Sequence, residues 1–70
     1  MRVKLSDPTR LEELRSALRN SGVASVPVAE DTLIVLHPFA LDEEEARVEI
    51  TFFIKAWLAK RPDLDVDLAA

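Results

Sequence analysis

The chain has no cysteine, a single histidine and a single glycine in 70 residues. Without thiols there is no disulfide, no thiolate zinc site, no iron–sulfur cluster and no cysteine nucleophile. One imidazole leaves a transition-metal site to be completed by carboxylates or by a second subunit. Positive charge is also scarce, with 9 Lys and Arg against 13 Asp and Glu for a net charge of −4. That sign does not suit a domain binding nucleic-acid phosphates or anionic lipid, so neither is an expected partner. No apolar run approaches the roughly 18 residues of a membrane span, and Met1 to Leu5 lead at once into a polar helix start. The expectation is a protein with no signal peptide and no membrane partner, located in the cytoplasm.

What is present is ordinary globular material, 49% hydrophobic and 31% charged, enough for one domain over residues 1–70. At this size one core rarely supplies more than about 3–5 kcal/mol, and no covalent staple adds to it. Tidy packing or a partner subunit must make up the difference.

Hydrophobic periodicity sets the element order. Met1, Val3 and Leu5 alternate with Arg2 and Lys4, a half-buried strand. Asp7 before Pro8 starts a helix, Leu11, Leu14 and Leu18 continue it, and Gly22 suits the left-handed position after it. Val23 to Val28 is β-branched and holds Pro27, which cannot donate to a ladder and so marks an edge strand. A short Glu30-Asp31 turn leads into the wholly apolar Leu33 to Leu36, a central strand. A two-residue loop would set Val28 opposite Leu33 and Val26 opposite Val35, leaving Ile34 and Leu36 on the other face beside Ser25 and Pro27. His37-Pro38-Phe39 breaks that strand. Asp42 with Glu45 is an acidic, capping-box start to a long helix running to about Arg61, where Pro62 ends it. Leu64, Val66 and Leu68 alternate with aspartates as a last strand.

The order β-α-β-β-α-β resembles the ferredoxin-like split βαβ arrangement of ACT-type and heavy-metal-associated domains. The resemblance implies an α+β sandwich: a four-stranded antiparallel sheet of order 4-1-3-2 with two helices on one face. One register of strands one and four fits it, pairing Val3 with Val66, Leu5 with Leu64 and Met1 with Leu68 on the core face. Arg2 then meets Asp67, and Lys4 meets Asp65, on the other. The family motifs are missing. The first loop, Ser6-Asp7-Pro8-Thr9-Arg10, lacks the cysteine pair of heavy-metal-associated domains and the glycine of ACT domains. Arg10 has no glycine-rich cradle or suitably placed asparagine to make an acylphosphatase site, Asn20 lying at a helix end. Arg2 stands where small tautomerases carry a catalytic proline. The chain also resembles short bacterial proteins with this element order and a Trp late in the second helix, a likeness that implies no activity.

Candidate chemistry is thin. Ser6, Ser21 and Ser25 show no motif that would bring a nucleophile to His37, so no catalytic residue is named and an enzyme is not expected. Asp42 to Glu45 lacks the interspersed glycine turn of a calcium loop and reads as charge offsetting a helix dipole; no metal site and no cofactor are expected. Residues 1–22 carry Arg2, Lys4, Arg10, Arg15 and Arg19 against Asp7, Glu12 and Glu13, a net +2 that leaves −6 for the remainder. The second helix is the informative element. Ala46, Ile50, Phe53, Ile54 and Trp57 fall in one stripe with Leu58 at its margin, the expected core face. Val48, Phe52 and Ala59 fall nearly opposite, with Ala56 close by. Val48, Phe52 and Ala59 make one candidate interface, Ile34 and Leu36 on the open sheet face a second. The expected function is a non-enzymatic interaction or oligomerising module working as a homodimer. The alternative is an ACT-like regulatory domain holding a small ligand at the subunit interface.

Overall fold

A computed structural model describes residues 1–69. The strands are β1 (Arg2–Leu5), β2 (Ala24–Ala29), β3 (Thr32–Leu36) and β4 (Val66–Ala69); the helices are α1 (Leu11–Asn20) and α2 (Glu43–Leu58). All neighbouring strands are antiparallel in the order β2-β3-β1-β4, the expected order read from the other edge. The fold is α+β, and the core gathers Val3 and Leu5 of β1, Leu33 and Val35 of β3, Leu14 and Leu18 of α1, and Ile50, Ile54 and Trp57 of α2.

Local chemistry explains the helix ends. Asp7 Oδ1 accepts from Thr9 N at 3.0 Å and from the Thr9 hydroxyl at 2.7 Å, starting a short 3-10 turn (Pro8–Arg10) that feeds α1. At the other end Val23 N donates to Leu18 O (2.9 Å) and Gly22 N to Arg19 O (3.0 Å). Gly22 sits at φ +80°, where an L side chain would be strained. These two bonds satisfy carbonyls that the helix itself leaves open, and Val23 follows Leu18 into the core. For α2, Asp42 Oδ1 accepts from Glu45 N at 2.8 Å. The reciprocal bond from the Glu45 side chain is absent among the described residues, so its carboxylate stays free. Helix α2 stops at Leu58, three residues short of Arg61, whose amide donates to Leu58 O in a closing turn before Pro62.

Two registers differ from expectation. In the β1–β4 pair Leu5 faces Val66, Val3 faces Leu68, Lys4 faces Asp67 and Arg2 faces Ala69. The strand has slid by two residues, so the expected pairs Val3 with Val66, Arg2 with Asp67 and Lys4 with Asp65 do not form. Ser6 secures the observed register, its amide donating to Asp65 O (2.9 Å) while its hydroxyl accepts from Asp65 N (3.0 Å). That clamp holds Asp65 beyond the end of β1, and Leu64 is buried from a turn instead of from the strand. A two-residue slide preserves alternation, so the buried face is unchanged.

In the β2–β3 pair the Glu30-Asp31 turn joins Ala29 and Thr32 as expected, but an irregularity between Pro27 and Ala29 inserts Val28. Beyond it Pro27 faces Leu33, Val26 faces Ile34 and Ser25 faces Val35, in place of Val28 with Leu33 and Val26 with Val35. One extra residue reverses which side chains of β2 accompany the open face of β3. Val26 therefore stands beside Ile34, and Ser25 and Pro27 move to the helix-side phase.

Candidate interaction surfaces

Helix α2 has two faces of opposite character. Ile50, Ile54 and Trp57 are buried, Ala46, Phe53 and Leu58 half-buried against them. Phe53 is less enclosed than its place in the core stripe predicts, because it lies about 100° from Ile54 and forms the stripe's edge. On the outer face Phe52 is 75% exposed and Val48 63%, and Ala56 and Ala59 are exposed too. The loop into α2 adds Phe39 and Leu41, 80% and 89% exposed. Periodicity could not single these two out, since a loop has no period; the signal was two large apolar residues in a segment too short to bury them. Phe39 leans over Gly22, where an added Cβ would lie 3.9 Å from its ring. Beside it a groove of about 450 Å³ runs between α2 and the turn after α1, walled by Val23, Val48, Phe52, Phe53 and Ala56.

The open sheet face is divided. Its β2–β3 half carries Val26, Val28 and Leu36, each a little over half exposed, with Ile34 half-buried among them. Its β1–β4 half is charged: Lys4 faces Asp67 across the ladder and comes within 3.9 Å of Asp31. Ile34 and Leu36 thus lie on the predicted face, with Val26 as the neighbour the bulge supplies. Val48, Phe52 and Ala59 form a separate surface on the helix layer, and nothing joins the two sets.

His37 stands at the corner between the layers. Its Nε2 lies 2.5 Å from Glu49 Oε2, and its Nδ1 is buried with no partner among the described residues. No serine hydroxyl is bonded to it; Ser6 is occupied by Asp65. On the side away from the groove a second cavity of about 670 Å³ opens between the end of β3 and the start of α2, lined by His37, Asp42, Glu43, Arg47 and apolar residues including Met1, Val35 and Ile50. No group of three or more His, Asp or Glu among the described residues is close enough to hold a metal ion. No described helix is long and apolar enough to cross a membrane.

The charges of α1 are largely paired within the chain. Arg15 bonds Glu12 at 2.9 Å, while Arg10 and Arg61 both reach Glu13. Hydrogen bonds from Arg61 first and Arg10 second hold the Glu13 carboxyl below its ordinary range. The Thr9 hydroxyl and amide do the same for Asp7. Arg61 also stacks over the Trp57 ring at 4.1 Å and donates to Trp57 O. On α2 the only charged side chain with a polar side-chain partner among the described residues is Glu49, which lies against His37.

Comparison with family models, curated proteins and solved structures returned no match. Function must therefore be read from these surfaces.

Proposed function

We propose that the protein is a non-enzymatic interaction module that works as a homodimer. The observation that carries this reading is the amount of large apolar side chain left in water on so small a body. Val26, Val28, Leu36, Phe39, Leu41, Val48 and Phe52 are each more than half exposed. Single exposed apolar residues are ordinary, but clustered ones mark contact surfaces. The accessible surface totals 4606 Å², and a standard interface takes roughly 800 Å² from each partner, about a sixth of it. A second copy would also supply the burial that a chain of this length is short of.

The 670 Å³ cavity favours a second reading, a regulatory domain of ACT-like shape that holds a small ligand. Its size falls within the roughly 300–1,000 Å³ of small-molecule sites, and it offers Arg47, His37 and two carboxylates over an apolar floor. Native mass spectrometry of freshly purified protein separates the two readings. A ligand-free dimer supports the first. A retained metabolite supports the second, and a bare monomer at every concentration sampled by sedimentation removes the first.

A further inference from the structure

We infer that two copies associate through α2 packed antiparallel against the partner's α2, about a two-fold axis passing close to Phe52. This deepens the homodimer reading and rests on it. Glu45, Val48, Phe52, Ala56 and Ala59 share the outward stripe of the helix, at the three-and-four spacing by which two helices interlock. Phe52 is its midpoint and its largest side chain.

Charge fixes the direction. The N-terminal half of α2 carries Glu44, Glu45 and Glu49, and its C-terminal end carries Lys55 with Lys60 just beyond. Except for Glu49, which meets His37, none of these has an ion-pair partner among the described residues. Glu45 and Glu49, one turn apart, repel each other in the isolated chain. A parallel pair would set these carboxylates on one another. An antiparallel pair centred on Phe52 puts Glu44 on the same flank as the partner's Lys55, Glu45 and Glu49 on the same flank as its Lys60, and Val48 level with its Ala56. Small Ala56 and Ala59 leave room for the partner's Val48, and the two Phe52 rings meet at the axis. The same contact is made twice, as a closed two-fold interface requires. On the sheet face Lys4 already faces Asp67 and Asp31 within the chain, which leaves Arg2 without an acidic counterpart on that face to form a reciprocal contact.

The test uses the absence of native cysteine. Val48→Cys and Ala56→Cys chains, mixed under mild oxidation, should give a disulfide-linked heterodimer, and neither should link to itself. In the antiparallel pair each residue is about 12 Å along the axis from its own copy but level with the other. Phe52→Glu, checked for retained fold by circular dichroism, should raise the dimer dissociation constant about tenfold or more by placing like charges at the axis. Lys55→Glu with Lys60→Glu should raise it several-fold at low salt, and adding Glu44→Lys with Glu45→Lys should recover it. Self-linking of Val48→Cys would overturn the antiparallel direction. A wild-type dimer that survives Phe52→Glu but is lost in Leu36→Glu would overturn the helix surface and leave the homodimer standing. A wild type that stays monomeric at high concentration would overturn both.

Discussion

Helices α1 and α2 cover the same sheet, yet only one of them is finished as a surface. In α1 three leucines are buried and the outward charges other than Arg19 are tied to one another or to Arg10 and Arg61. In α2 three core residues are buried just as well, but the outward stripe holds a phenylalanine and a valine, and its flanking charges are nearly all unpaired. Exposed charges are satisfied by water whether paired or not, so what sets α2 apart is its exposed phenylalanine and valine, the surface that the proposed contact would use.

The largest blow to that contrast is a substitution on the buried side. Trp57→Ala should cost about 3–5 kcal/mol, losing the aromatic volume and the ring on which Arg61 stacks. For a chain this small that approaches the whole of its stability, so circular dichroism at room temperature should show a largely unfolded protein. A near-native melting curve would mean that the inner face of α2 contributes no more than the outer.

Next comes a pair of neighbours. Phe53→Glu would push a carboxylate against the core edge and should cost several kcal/mol. Phe52→Glu, one residue earlier and pointing away, should change monomer stability by no more than about 0.5 kcal/mol. Denaturant melts at low concentration read both, and equal destabilisation would erase the two-faced picture of the helix.

Smaller effects test the helix starts. Asp42→Ala removes the N-terminal side-chain cap of α2 and should cost about 0.5–2 kcal/mol, measured by the denaturation midpoint. The smallest effect is on α1. Glu13 is held below its ordinary pKa in the folded state, so what it contributes is present above the ordinary carboxylate value of 4.5. That contribution is lost as pH falls through the lowered folded value. Glu13→Gln should flatten that acid limb slightly and leave stability at neutral pH nearly unchanged, since the pair is exposed.

Much of the fold could be read from the chain because its signals were local. The caps at Asp7 and Asp42, the left-handed Gly22 and the periods of both helices each depend on a few adjacent residues. The two register differences arose where the pattern was degenerate. Leu64, Val66 and Leu68 alternate identically with Asp63, Asp65 and Asp67, so charge pairing accepts a two-residue slide, and the contact that marks the observed register, Asp65 with Ser6, joins residues far apart in the chain. The bulge at Val28 has no composition mark beyond the neighbouring Pro27. The outer face of α2 was legible for the same reason as its core, since one period defines both. Phe39, Leu41 and the His37–Glu49 contact were not, because each depends on how a loop lies against elements far along the chain.

The edge strand has a consequence for assembly. A sheet that ends in a straight, fully bonded strand invites the next chain to add another, and addition of that kind has no natural stopping point. Here β2 presents Pro27, which has no amide hydrogen to offer, and next to it the irregularity at Val28, which spoils the straight run a new strand would need. Both features disfavour growth into a fibre from this edge. Contacts made through the faces of the molecule can close on themselves at a fixed number of copies.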